Sequence, residues 1–430
     1  MRGFDREREI CYNQKNMRTI LHSDLNNFYA SVEVQRRPEL KGYPVVVVGS
    51  KEDRHGVVLA KNEIAKRMGV KTGDVYWQAK KKCGEDLKEV PVDFPTYQRV
   101  SREVRKIYAD YTDRIESFGI DECWLDVSES VGLFGSGRTI ADTIRERVKA
   151  ETGLTVSIGV SFNKIFAKLG SDMRKPDAVT EITPDNFRAL VWVLPVEELL
   201  FVGKATREKL KRLGIQTIGQ LANASKDLLV KNLGKWGEYL HIYANGLDES
   251  PVTTLSEEEN VKSVGNSLTL YHDLTRDDEV ETVLFMLADS VSSRMREAGL
   301  PRARTVKIWV RENDFVTDFT RQAATEPTNS GVEIGKKAMQ LFKESYTWER
   351  PVRALGVAVS NFSYGAEQIS IFDSVGKREK LSRLEDTIDT LRGKYGNSVI
   401  RPAVILQDKR ISALDLKDDH LTHDTPPDKK

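Results

Sequence analysis

Ile115-Glu116-Ser117-Phe118-Gly119-Ile120-Asp121-Glu122-Cys123-Trp124-Leu125-Asp126-Val127 reads as two short apolar strands around a turn. The strands are 115–118 and 123–127, and Gly119-Ile120-Asp121-Glu122 makes a hairpin tip bearing two adjacent acids. Upstream, Arg18-Thr19-Ile20-Leu21 begins a short apolar strand that runs to Asp24, and Asn27 to Gln35 reads as a helix start. Tyr43 to Val48 is β-branched and is expected to be a buried strand. A charged turn follows to Gly56, and Val57 to Met68 has helical character. Apolar Val100, Val104, Ile107 and Tyr108 predict a helix over Tyr97 to Tyr111. Downstream, a helix is expected over Thr139 to Ala150 and a strand over Thr155 to Val160. Antiparallel strands with helices on one face make an α+β domain.

The rest of the chain changes character twice. Pro184 to Pro251 is helical with repeated short glycine turns. After the acidic stretch Ser256-Glu257-Glu258-Glu259-Asn260, a second α+β pattern runs from Val261 to Phe362. A helix is expected over Leu381 to Tyr395, and the polar residues from Asp415 to Lys430 read as a disordered tail. A chain of 430 residues is too long for one core and implies three or four domains.

Composition excludes some classes. With 39% hydrophobic and 30% charged residues, the chain reads as globular rather than disordered. It has no apolar run near the roughly 20 residues that span a bilayer. The opening MRGFDREREI is charged and lacks the apolar stretch of a secretory signal, so a cytoplasmic protein without a membrane partner is expected. Cys11, Cys83 and Cys123 are too scattered for a disulfide framework or a zinc site. The net charge of +1 makes no case for nucleic acid by itself. Basic clusters at Lys80 to Lys82, Lys204 to Arg212 and Arg294 to Arg304 are able to meet phosphates while acidic surface cancels the total.

The acids suggest a chemistry. Phosphoryl transfer to a sugar hydroxyl uses two divalent ions about 4 Å apart, held by hard oxygen ligands. Asp24 at a strand end and the pair Asp121-Glu122 at a hairpin tip converge if their strands are neighbours. The bland reading of each is a turn residue or a salt bridge, and the residues alone leave both readings open.

Longer motifs narrow the choice. Ser23-Asp24-Leu25-Asn26-Asn27-Phe28-Tyr29-Ala30-Ser31-Val32-Glu33 resembles the first catalytic motif of Y-family DNA polymerases. Ile120-Asp121-Glu122-Cys123-Trp124-Leu125-Asp126 resembles the second. Gly159-Val160-Ser161-Phe162-Asn163-Lys164-Ile165-Phe166-Ala167-Lys168, followed by Ser171-Asp172-Met173-Arg174-Lys175-Pro176, resembles the third. The likeness covers about residues 18–372 and is closest to the polymerase IV branch.

The resemblance implies an α+β right-hand polymerase. Its palm would be residues 18–34 and 94–183, its small fingers 35–93, its helical thumb 184–255 and its little finger 256–366. Residues 1–17 would be an N-terminal extension, and 374–430 a C-terminal helix and tail. It implies template-directed addition of deoxynucleoside triphosphates to primer–template DNA, with low-fidelity bypass of damaged bases and no proofreading. Two Mg2+ ions would sit on Asp24, Asp121, Glu122 and the Leu25 carbonyl. Tyr29 would be the steric gate against a 2′-hydroxyl, Phe28 would pack under the nucleotide, and Lys164 would reach the triphosphate. The fingers of the family carry a Tyr and an Arg that grip the triphosphate, whereas Glu63 and Lys66 stand at those places here. Lys66 remains a nucleotide-binding candidate as a point charge, without the fork geometry of Arg.

Two further stretches resemble DNA-holding and partner motifs. Leu200-Phe201-Val202-Gly203-Lys204-Ala205-Thr206 resembles a helix–hairpin–helix turn with Phe201 in place of the first glycine, and Leu233-Gly234-Lys235-Trp236-Gly237 is a weaker copy. Arg294, Arg296 and Arg304 would track the duplex backbone. Gln368-Ile369-Ser370-Ile371-Phe372, within 367–373, resembles a sliding-clamp-binding pentapeptide that offers apolar anchors to a partner pocket. A monomer is expected. The rival readings are a non-catalytic DNA- and clamp-binding relative and a nucleotidyl cyclase. Retention of the three acids, Tyr29 and Lys164 argues against the first, and the helical glycine turns and the pentapeptide argue against the second.

Overall fold

Strands β1 (Ile20–Leu25), β2 (Val45–Val48), β3 (Val58–Lys61), β4 (Lys88–Pro91), β5 (Ile115–Ser117), β6 (Glu122–Asp126), β7 (Val156–Ser161) and β8 (Val179–Ile182) form two sheets. This is a computed structural model that describes residues 18–49, 56–254, 261–363, 375–397 and 399–407. Residues 1–17, the clamp-like pentapeptide and residues 408–430 lie outside the described residues. The described residues divide into two compact units, 18–47 with 59–254 in one, and 48–49, 56–58, 261–363, 375–397 and 399–407 in the other.

The larger sheet has the order β5-β6-β1-β7-β8. β1 is buried along all six residues and pairs antiparallel with β6 on one side and β7 on the other. β7 and β8 pair in parallel. The helix Lys164–Met173 lies flat on β7 because Gly159 has no side chain. A Cβ there would stand 1.9 Å from the Ala167 carbonyl oxygen and 2.6 Å from the Ser171 amide. That close approach brings the helix's polar side chains down to the β1–β6 edge. Its start is fixed by Asn163, whose side chain accepts from the Phe166 amide at 2.8 Å.

The smaller sheet has the order β3-β2-β4, and the four valines of β2 are all buried. Here the expected helix from Val57 does not begin where its pattern suggested. The stretch is β3 followed by a short helix, Glu63–Arg67. Asn62 makes the break: its side-chain oxygen accepts from the Val45 and Ala65 amides, and its amide donates to the Tyr43 carbonyl. One side chain therefore ends the strand, ties it to β2 and caps the helix. The helix expected from Tyr97 is Phe94–Ala109, started one turn earlier by Asp93, which accepts from the Thr96 amide at 3.2 Å. Residues 187–244 form five short α-helices and one 3-10 turn, as the glycine turns predict.

In the other unit, β9 (Ser263–Leu274), β10 (Ala303–Glu312), β11 (Asp318–Thr328) and β12 (Val352–Phe362) make an antiparallel sheet of order β11-β10-β12-β9. On β10, Val306, Ile308 and Val310 enter the core with Leu287, Val291 and Phe342. Lys307, Trp309 and Arg311 alternate to the opposite face, as the period of a strand requires. The helix Val375–Tyr395 is held to this unit by ions. Arg296 lies 3.2 Å from Glu385 and 2.7 Å from Asp389, and Arg392 lies 2.9 Å from Asp289.

Candidate active site

Asp24 and Glu122 are direct cross-strand partners, and Asp24 is 6% exposed. Asp121 precedes Glu122 in the hairpin, and its carbonyl accepts from the Leu25 amide at 3.0 Å. The tip is fixed from behind by the Phe94–Ala109 helix. One turn apart on that helix, Ser101 donates to the Ile120 carbonyl and Arg105 to the Gly119 carbonyl. Gly119 has φ near +107°, a conformation that disfavours any side chain. The backbone thus holds three carboxyls together whatever their mutual repulsion.

That repulsion is visible in their acidity. Burial, then the charges of Glu122 and Asp24, push Asp121 up to about 6. Burial, then Glu122, also raises Asp24, although Lys168 and Lys175 pull it the other way. Lys168 Nζ lies 2.9 Å from Glu122, 3.2 Å from Asp172 and 3.3 Å from Asp24. Lys175 Nζ lies 2.8 Å from both Asp24 and Asp172. Burial alone would make Lys168 easier to deprotonate, but Glu122 and Asp24 reverse this and hold it charged.

His22, fully buried beneath the acids, is 3.3 Å from Glu122 Oε2 and bonds Ser171 through Nδ1 at 2.9 Å. The first distance would suit an ion pair. Burial and then Lys168 instead push its pKa well below the ordinary value, so the imidazole is neutral. His22 Nε2 is buried without a well-formed hydrogen bond, whereas Glu122 Oε2 has Lys168 Nζ at 2.9 Å. Among the described residues no three carboxyl, imidazole or thiol groups are already closed around one point as a metal cage. The lysine ammoniums stand among the acids instead. The donors are hard carboxylate oxygens, and the charges of Asp24, Asp121 and Glu122 repel one another. That chemistry fits a divalent cation.

Tyr29 stands beside this cluster, half-buried. Its ring stacks on Tyr97 with centroids 4.2 Å apart and planes 9° from parallel, and Phe94 meets it edge-on at 6.1 Å. Burial, then the Asp121 charge, raises its phenol pKa. Phe28, 3% exposed, packs against both rings.

Lys164 is not brought to the acids. Its Nζ pairs with Glu116 at 2.5 Å, reaches the Pro251 carbonyl at 3.3 Å and lies 4.5 Å over the Trp124 ring. Lys168 and Lys175 of the same motif are the lysines that meet Asp24. Helical spacing was the available signal: Lys168 lies one turn beyond Lys164, on the face that Gly159 admits to the sheet. Lys66 is exposed and lies 3.9 Å from Glu63, which also meets Arg67 at 3.8 Å.

Comparison with known proteins shows the family. Residues 23–172 match the impB/mucB/samB family and residues 261–371 that family's C-terminal domain. Residues 198–248 match the thumb domain of DNA polymerase-iota. The chain is 49% identical over 400 residues to DNA polymerase IV of Acetivibrio thermocellus, covering 92% of this chain and all of that protein. It is 36% identical over 398 residues to DNA polymerase IV of Clostridium kluyveri, covering 91% and 98%. The chain belongs to the Y family of DNA polymerases.

A solved Y-family DNA polymerase chimera superposes with a TM-score of 0.71 at 26% identity, covering 80% of this chain and 99% of that one. The right-hand architecture of the Y family therefore holds for this chain. In its thumb, Phe201 has φ near +70°, where the turn would ordinarily carry glycine, and Gly234 holds the equivalent place in the second turn at +64°. Phe201 is 40% exposed and meets Trp236 at 5.5 Å, so the two turns touch through aromatic rings. In the C-terminal domain matched at 261–371, Arg304 is exposed, while Arg294 donates to the Gly265 carbonyl. Arg296 does not fit the expected backbone contact, because its guanidinium is buried and neutralised by Glu385 and Asp389.

Proposed function

We propose that this chain is a template-directed DNA polymerase that extends a primer across damaged template bases. The observation that carries the reading is Asp24 facing Glu122 across two strands, with Asp121 beside them and Tyr29 stacked at the edge. Asp24, Asp121, Glu122 and the Leu25 carbonyl would hold two magnesium ions. When bound, these would activate the primer 3′ hydroxyl and shield the triphosphate. Lys168 and Lys175 are the cations nearest that point and would turn from the carboxylates to an incoming triphosphate. Lys66 would add a weaker charge from the fingers. Tyr29 would exclude the 2′-hydroxyl of a ribonucleotide, and Phe28 would support it from below.

The domain limits follow the same reading: palm 18–34 and 94–183, fingers 35–93, thumb 184–255 and little finger 256–366. No helix among the described residues is long and apolar enough to cross a membrane. We place the enzyme in the cytoplasm as a monomer, tethered to the replication clamp through Gln368-Ile369-Ser370-Ile371-Phe372. The test is primer extension with magnesium and deoxynucleotides on intact and abasic templates, with and without a purified clamp. Extension past the abasic site supports bypass. Processivity that rises with clamp and falls when 368–372 is deleted supports the tether. A folded protein that binds DNA without extending it would favour the non-catalytic relative.

A further inference from the structure

Glu33 is a buried acid that the proposed chemistry does not use. It lies one helical turn beyond Tyr29 on the helix Phe28–Arg36 and is 0% exposed. A carboxylate so placed is costly unless it is paired, and an apolar side chain would fill the same volume without that cost. Its partners show what it holds. Tyr97 donates its phenol proton to Glu33 Oε1 at 2.9 Å. Arg36 reaches the same oxygen at 3.3 Å and also bonds Asp93 at 2.7 Å. Arg37 approaches Glu33 Oε2 at 3.6 Å, and that oxygen completes no hydrogen bond.

The geometry leads back to Tyr29. Tyr97 is fully buried, so its ring has one orientation, set by the phenol bond at one end and the packing of Phe94 and Phe28 around it. Tyr29 stacks on that ring nearly in parallel. Rotating Tyr97 would remove the surface on which Tyr29 rests. Asp93, which starts the Phe94–Ala109 helix, closes the loop through Arg36, so both helices are tied at this point.

We propose that Glu33 is a positioning residue for sugar selection: by holding the Tyr97 phenol, it sets the ring that fixes Tyr29. The inference rests on the reading of Tyr29 as the gate against a 2′-hydroxyl. A gate works by a clash, and a clash discriminates only while the ring cannot yield. Loosening the support therefore costs selectivity before it costs turnover.

The test measures kcat/KM for a deoxynucleotide and its matching ribonucleotide in primer extension. Tyr29→Ala, Glu33→Ala, Glu33→Gln and Tyr97→Phe are compared with the native chain. Glu33→Ala is expected to lower discrimination about 10-fold, with deoxynucleotide kcat/KM changed less than about 3-fold. Glu33→Gln should restore it, since the amide oxygen still accepts the phenol bond. Tyr97→Phe keeps the ring and its volume, removes only the hydroxyl, and should match Glu33→Ala even if the latter folds poorly. Unchanged discrimination in Tyr97→Phe, with Tyr29→Ala admitting ribonucleotides, overturns the role of Glu33 and leaves the gate standing. An equal fall for both nucleotides also overturns it, because that is what a merely structural acid would give. If Tyr29→Ala itself leaves discrimination unchanged, the gate reading fails and takes this inference with it.

Discussion

Two buried ionic clusters in this molecule are built on opposite principles. In the unit of β9–β12, Glu385 accepts from the Ser330 hydroxyl at 2.8 Å and the Gly331 amide at 3.1 Å, and it lies beside Arg296. Arg296 in turn pairs with Asp389 at 2.7 Å. Charges alternate and the donors are used. At the edge of β1 and β6, by contrast, four carboxyls, Asp24, Asp121, Glu122 and Asp172, share the two ammoniums of Lys168 and Lys175, and His22 Nε2 completes no bond. The first cluster is finished within the chain. The second brings Asp24, Asp121 and Glu122 close enough for their charges to raise one another, and such crowding is the feature that the proposed metal and triphosphate site would use.

The difference predicts opposite responses to mutation. The largest effect is expected on activity: Asp121→Asn should lower the extension rate about 1,000-fold or more, read in single-turnover primer extension. The same variant should flatten a pH dependence of stability in chelator. Asp121 titrates near 6 when folded and near 3.8 otherwise, so its ionisation opposes folding. This contribution is fully present below pH 4 and is lost as pH rises through 6. A native melting temperature that rises over that window relative to Asp121→Asn would contradict the sign.

Arg296→Ala should act through the finished cluster. Leaving Glu385 and Asp389 without their cation is expected to destabilise this unit by about 3–5 kcal/mol in denaturant unfolding. A loss below about 1 kcal/mol would mean that the pair is screened like a surface bridge. The smallest effect concerns the thumb. Phe201→Gly removes a side chain from a left-handed backbone and should stabilise the thumb by about 1 kcal/mol, offset by lost contact with Trp236. Weaker DNA binding in that variant would show that the ring also touches the duplex.

The comparison also separates what the sequence disclosed from what it concealed. The hairpin at Gly119–Glu122, the β1 strand and the helices at Phe94–Ala109 and Gly137–Thr152 were legible because apolar periodicity and turn residues report local geometry. The convergence of Asp24 on Glu122 was legible only through the likeness of whole motifs, since nothing local sets which strands become neighbours. Asn62 concealed a strand inside a helical pattern: beside its local cap on Ala65, its bonds to Val45 and Tyr43 are tertiary and leave no periodic trace. Lys164 and Lys168 carry the same charge four residues apart, and their tertiary partners separate them: Glu116 takes Lys164, whereas Asp24 and Glu122 take Lys168. Arg296 looked like a DNA contact because its burial depends on a helix nearly 90 residues further on.

The most direct test of the unfinished acid cluster is the melting temperature of the native chain and Glu122→Gln, each in chelator and in magnesium. The account predicts that Glu122→Gln melts at or above the native temperature in chelator, because one repelling charge is gone. It also predicts that only the native chain gains stability when magnesium is added. A chelated Glu122→Gln that melts well below the native chain, as Arg296→Ala is expected to, would contradict it and make these acids a structural ion pair.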